Sequence, residues 1–187
     1  MTLVSFDGPF VDSIPVYPYT IWFDPTLPLQ GMCDDYYHDG APGDTWSAYL
    51  TNLGTGNLTY LRFAAFGLDA YQEAAWIFLQ TYATPSAEWP DMNYAVWHIF
   101  NPTVPIDSNS QNWINLAVAN HGSVGYGNVY VATPVDIDAP PTGDQEFFFP
   151  WISPNPPKPP IPEPGSLALF FTGGIGALAA LRRRLKP

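Results

Sequence analysis

The residues best suited to chemistry sit together in "GMCDDYYHDGAPGDTW", residues 31–46. Cys33 is the only cysteine, and Asp34 and Asp35 follow it at once. A thiol acts as a nucleophile through its thiolate, and adjacent carboxylates raise its pKa, so attack by Cys33 requires a histidine nearby. His38, His98 and His121 are the three available. A Cys-dependent hydrolase is one reading; a small buried apolar thiol is the other. The same stretch carries Asp34, Asp35, Asp39 and Asp44, and several carboxylates on one loop suit a hard cation such as Ca²⁺. Their spacing does not follow an EF-hand loop, and solvated loop acids are the alternative. "VDIDAPPTGD" (135–144) repeats the idea more weakly. Exposed aromatics stack on sugar faces, so Trp89, Trp113 and Trp151 are candidates for binding extracellular polysaccharide.

The elements that must position these residues show two periods. "TWSAYLTNL" alternates Trp46, Ala48 and Leu50 against Ser47, Tyr49 and Thr51, as a strand does. Gly54-Thr55-Gly56-Asn57 then predicts a hairpin into "GNLTYLRFAAF". Three helices follow. "LDAYQEAAWIFLQTYA" is expected to be capped by Asp69 and to bury Tyr71, Ala74, Ala75, Phe78 and Tyr82. "PDMNYAVWHIFNP" starts at Asp91, stops before Pro102, and carries Met92, Ala95, Val96 and Ile99 on one stripe. "SQNWINLAVANHG" aligns Trp113, Leu116, Ala117 and Asn120, with Gly122 at its end. "NVYVAT" and "QEFFF" are strands again. Strands, then helices, then strands predict an α+β fold: one mixed domain of antiparallel strands with about three central helices, over residues 1–152.

Charge narrows the partners. Residues 1–157 hold sixteen acids against Arg62 alone, a formal balance of −15. Such a surface repels phosphate backbones, so a nucleic-acid partner is excluded. High acidity accompanies disorder in many chains, but 16% aromatic content with seven tryptophans argues for a packed body. One cysteine allows no intrachain disulfide.

Beyond residue 152 the composition changes. "SPNPPKPPIPEPG" (153–165) has seven prolines in thirteen residues, which favours an extended spacer reaching up to ~40 Å. Pro162, Glu163 and Pro164 precede an uncharged run, Leu167 to Leu181, and Arg182, Arg183 and Arg184 end it. Fifteen residues make a helix of roughly 22 Å, short of the ~30 Å hydrocarbon layer but able to span it by local thinning and arginine snorkelling. Basic residues directly after an apolar run place that end in the cytoplasm. Residues 166–187 are therefore expected to be a transmembrane helix with a basic tail.

This order of parts resembles the PEP-CTERM sorting signal of Gram-negative bacteria. The resemblance implies an exported protein held in the inner membrane until an exosortase processes it near Pro162-Glu163-Pro164, then delivered to the cell surface or extracellular matrix. Residues 1–19 lack a basic start and a long apolar core, so a signal peptide is expected upstream of residue 1.

Within the body, an acid- and aromatic-flanked Cys33 followed by "YQEAAWIFLQ" and "DMNYAVWHIF" resembles the N-terminal body of a set of PEP-CTERM proteins and, distantly, the thioester domains of bacterial surface adhesins. That resemblance covers about residues 30–120. It implies a bond from Cys33 to the residue before Ala95-Val96-Trp97, which is Asn93. The adhesins carry Gln there; Asn reaches about 1.5 Å less far, and Gln72 and Gln80 on the neighbouring helix are other amides. The expectation is an exported structural or adhesive protein without a resident cofactor. A Ca²⁺- or glycan-binding module and a Cys-dependent hydrolase are the alternatives.

Overall fold

A computed structural model describes residues 1–23, 28–38, 40–135 and 144–150. The chain divides into two units, Met1–Pro156 and Pro157–Pro187, and every described residue belongs to the first. Asp39, Trp151, most of "VDIDAPPTGD", the spacer and the sorting tail with Pro162–Pro164 and Arg182–Arg184 lie outside the described residues.

The strands are β1 (Thr2–Phe6), β2 (Phe10–Val11), β3 (Ile14–Pro15), β4 (Tyr19–Trp22), β5 (Pro28–Cys33), β6 (Ala48–Asn52), β7 (Val129–Pro134) and β8 (Phe147–Pro150). The helices α1 (Gly67–Gln80), α2 (Trp89–Phe100) and α3 (Ser108–Asn120) fall between β6 and β7. Six strands form one antiparallel sheet in the order β1-β4-β5-β8-β7-β6, and β2 and β3 form a separate hairpin. The sheet curls on itself. Gly43 to Trp46, leading into β6, bonds back to β1 through Leu3 N to Asp44 O (3.0 Å), Gly43 N to Leu3 O (2.7 Å) and Trp46 N to Met1 O (3.0 Å). The segment leading into β6 thus covers the outer edge of β1, where an open sheet would present unpaired backbone groups.

Alternation along the strands separates two cores. Leu3, Tyr19, Ile21, Cys33, Trp46 and Phe147 fill the inside of the curl, with Leu29, Ala132 and Phe149 packed further along it. The interior is crowded at Gly31, where an added Cβ would come within 2.6 Å of the Ile21 side chain. Met32, Val129, Val131 and Phe148 point the other way, onto the helices. There they meet Tyr71, Ala74, Ala75 and Phe78 of α1 and Met92, Ala95, Val96 and Phe100 of α2. Burial of each such large side chain contributes about 1.5–3 kcal/mol, which makes this shared layer the main support of the fold.

The α+β class and the three helices agree with expectation, but several local details differ. Residues 56–66 form turns and a short 3₁₀ segment, Ala64–Phe66, so no hairpin partner for β6 lies there; β6 pairs with β7 instead. Asp69 and Asp91 lie in the first turns of α1 and α2 without capping them. Asp107, unrecognised in the sequence, caps α3 by accepting from Asn109 N (3.0 Å) and Ser110 N (2.8 Å). Leu50 of β6, Leu116 of α3 and Tyr82, two residues past the end of α1, are exposed rather than core.

Candidate functional site

The end of β5 gathers most of the residues that the sequence singles out. Cys33 is its last residue and faces the inside of the curl, where the side chain is wholly buried. The thiol donates to Asp35 O (3.3 Å) and accepts from Asp35 N (3.4 Å). Burial first, then the charges of Asp35 and Asp34, push its pKa well above the ordinary thiol value. That environment opposes thiolate formation. Asn93, on α2, uses its side-chain amide as a clamp: Nδ2 donates to Cys33 O (2.9 Å) and Oδ1 accepts from Tyr17 N (2.7 Å). The pair is therefore adjacent, with the amide held by the Cys33 carbonyl at the end of β5 and by the Tyr17 amide in the segment between β3 and β4.

One residue further, Asp34 turns toward the helices, and Asp34 N bonds Glu146 O at 3.3 Å to extend the β5–β8 ladder. Asp34, Asp35 and Glu146 are each at most 1% exposed. Buried acids need donors or a partner charge, and the fold supplies both. Arg62 Nη1 pairs with Asp35 Oδ2, and His38 Nδ1 lies 2.7 Å from the same oxygen. Glu146 accepts from Arg62 N (3.0 Å), from the Tyr71 hydroxyl (2.7 Å) and from the Thr133 hydroxyl. Tyr71 in turn accepts from Phe63 N at 2.8 Å. Neither oxygen of Asp34 meets a protein donor. Burial, followed by the neighbouring Glu146 charge, raises Asp34 well above the usual carboxylate range; burial also raises Glu146, against the pull of its donors. With both acids buried and Asp34 raised partly by the Glu146 charge, a proton on Asp34 would turn it into a donor toward Glu146.

This cluster joins β5, β7 and β8 to α1 and to the segment carrying Arg62. Its chemistry is that of a buried polar fastening: one cation, three acids and a ring of hydroxyl and amide donors. The sequence reading puts Tyr71 on the buried stripe of α1 and names Arg62 as the lone basic residue without assigning either to this cluster, and it singles out neither Glu146 nor Thr133. Arg62 carried a usable signal as the lone basic residue among sixteen acids in residues 1–157, and Glu146 stands at the head of the apolar run Phe147–Phe149.

The other candidates disperse. Asp44 closes an exposed turn by accepting from Ala41 N at 2.6 Å. Among the described residues, no group of three or more His, Cys, Asp or Glu side chains is placed to hold a metal ion. His98 Nδ1 lies 2.8 Å from Val104 O and His121 Nδ1 lies 3.1 Å from Ala117 O, each tied to its own helix or the loop after it. Trp89 is half-buried, with Nε1 donating to Thr84 O (3.2 Å) and its ring edge-on to Tyr17 at 5.1 Å. Trp113 is half-buried beside Trp76 at 6.3 Å.

Outside this body, one segment matches a known family model. Residues 160–184 carry the PEP-CTERM protein-sorting motif. The motif supports a protein sorted by exosortase, with export and membrane-associated processing. It covers Pro162, Glu163, Pro164, the apolar run and the three arginines. No curated protein and no solved structure matches the chain, and the adhesin resemblance gains no support from either comparison. Among the described residues, no helix is long and apolar enough to cross a membrane; the PEP-CTERM segment lies outside them.

Proposed function

We propose that this chain is an exported surface or extracellular-matrix protein in which the curled sheet and its helices are the delivered body and residues 160–184 are the handle on which exosortase acts. The PEP-CTERM motif carries the reading. The body fits a structural or adhesive role: its acids are concentrated outside the tail, and its one cysteine is wholly buried. A hydrolase built on Cys33 is disfavoured because the thiol is buried, its pKa is raised and its hydrogen bonds run to the Asp35 backbone.

The test uses the full chain with an epitope inserted in the body, expressed in paired strains with and without exosortase. In the competent strain the epitope should reach the surface or medium on a product shortened by the residues beyond the Pro162–Pro164 motif. In the deleted strain it should stay full-length in the membrane fraction. An intact product in both strains, spread identically between fractions, would sink the proposal.

A further inference from the structure

Apart from the buried cluster, the body has an open cleft of about 410 Å³. One wall is the β2–β3 hairpin with Val11, Asp12 and Ile14; Tyr36 enters from the segment after β5. Pro90, Asp91 and Tyr94 of α2 and the residues leading into α3 complete it. Its size is that of an ordinary small-ligand pocket.

The aromatic part is held in place from behind. Tyr36 and Tyr94 both pack edge-on to Trp97, at 5.3 Å and 5.1 Å, and Trp97 is 2% exposed. The acids are held differently. Asp12 and Ser13 form the two-residue link between β2 and β3 with φ of +50° and +69°, the left-handed pair that a tight hairpin turn requires. The turn keeps Asp12 on the rim. Asp107 is engaged by the amides of α3. Asp91 feels its charge: burial and then Asp107 raise the Asp91 pKa, while burial, Tyr36 and Asp12 raise Tyr94. The cleft lining contains three acids and no basic side chain. Their carboxylates are not grouped to chelate a single metal ion.

From this arrangement we propose that the cleft receives the side chain of a lysine on a partner protein. The ammonium sits between Asp12 and Asp91, against the faces of Tyr36 and Tyr94, and the four-carbon stem lies along Ile14, Pro90 and Ile106. Carboxylates spread apart match a cation with three separate donors. Tyrosine faces attract an ammonium at close range, and the methylene stem has apolar neighbours. An amino sugar shares the ammonium but has no methylene stem to lie along Ile14, Pro90 and Ile106. A second copy of the body supplies no lysine, since residues 1–157 contain none. The proposal does not depend on the sorting route.

The test is an NMR titration of the full-length chain in detergent with Nα-acetyl-lysine N-methylamide. Parallel arms use the norleucine analogue, which keeps the stem and lacks the ammonium, and glucosamine. The lysine probe should shift Asp12, Tyr36, Tyr94 and Ile106 saturably, with a midpoint at least tenfold below those of the other two. Asp12→Asn with Asp91→Asn together should weaken it about tenfold or more, with spectra elsewhere unchanged; the rim variant Asp12→Asn alone, on an exposed turn, should weaken it about threefold. Equal midpoints for lysine and norleucine, tighter binding of glucosamine, wild-type affinity in the variants, or no saturable shift would overturn the assignment.

Discussion

Asp34, Asp35 and Glu146 are buried around the body's single arginine, whereas Asp12, Asp91 and Asp107 line an open cleft whose walls carry no basic side chain. Residue type is the same in both places. Solvent access separates them. A carboxylate out of water must find a cation, several donors or a proton, and the inner cluster uses all three. A carboxylate at the rim is already hydrated and can keep its charge for an outside partner. Acids inside this body therefore fasten layers together, and the cleft acids have lighter local ties, Asp107 at the start of α3 and Asp91 to Asn109 of the same helix.

The most severe way to break the contrast is to remove the inner cation. Arg62→Met keeps the stem but leaves Asp35 without its ion-pair partner inside the protein. Removing one member of a buried pair costs about 3–5 kcal/mol. Urea unfolding of the variant at neutral pH should show a loss of that order, against the marginal ~5–15 kcal/mol stability of a typical domain. A loss below about 1 kcal/mol would mean that the cluster is hydrated and Arg62 dispensable.

Much of this contrast was hidden from the sequence. Local features were readable: the 3.6-residue stripes of Tyr71-Ala74-Ala75-Phe78 and Met92-Ala95-Val96 are the buried faces of α1 and α2. "NVYVAT" became β7, and "QEFFF" became β8 and the two residues before it. Cys33, Asp34 and Asp35 stand out by residue type and Asn93 only through the adhesin resemblance, and the four do lie together. Their roles were not legible, because those depend on pairing over long separations. Glu146 reaches Asp34 only because β8 lies beside β5, an arrangement set by the whole sheet. Arg62 sits in a segment that the preceding Gly54–Asn57 turn signal marks as a hairpin strand, yet its turns carry the guanidinium inward to Asp35. The alternation of Leu50 with Trp46 misled for a related reason, since pattern alone does not say which part of a strand is covered. The cleft was invisible: Tyr36, Asp12, Tyr94 and Ile106 come from four separate places in the chain.

A smaller effect sharpens the account of the proton on Asp34. The folded pKa of Asp34 lies well above its ordinary 3.8, so the folded state holds a proton that the unfolded chain releases. The sign follows from linkage: the group's contribution to stability is fully present below about pH 4 and is lost as pH climbs toward the raised folded value. Asp34→Asn supplies a permanent neutral donor of the same shape. Its unfolding free energy should exceed that of the parent by about 1–3 kcal/mol at pH 8, the scale of an unsatisfied buried group. At pH 4 the two should converge. Parallel stability curves for parent and variant across that range would place the proton elsewhere.

The smallest expected effect is the counterpart at the rim. Asp91→Asn removes a half-exposed carboxylate whose pKa is raised by burial and by Asp107, so the native fold gains little from its charge. Two contributions oppose each other. Losing the charge relieves repulsion with Asp107 and lowers desolvation, while α2 loses an acid from its first turn, where a negative charge favours the helix dipole by about 0.3–1 kcal/mol. The balance should leave stability within about 0.5 kcal/mol of the parent, as for surface substitutions generally. Thermal unfolding of Asp91→Asn beside Arg62→Met decides the matter: a loss at Asp91 as large as that at Arg62 would show that the cleft acids also hold the body together. A near-silent result leaves Asp91 at the cleft without a structural reason for its charge, which is the condition a binding carboxylate must meet.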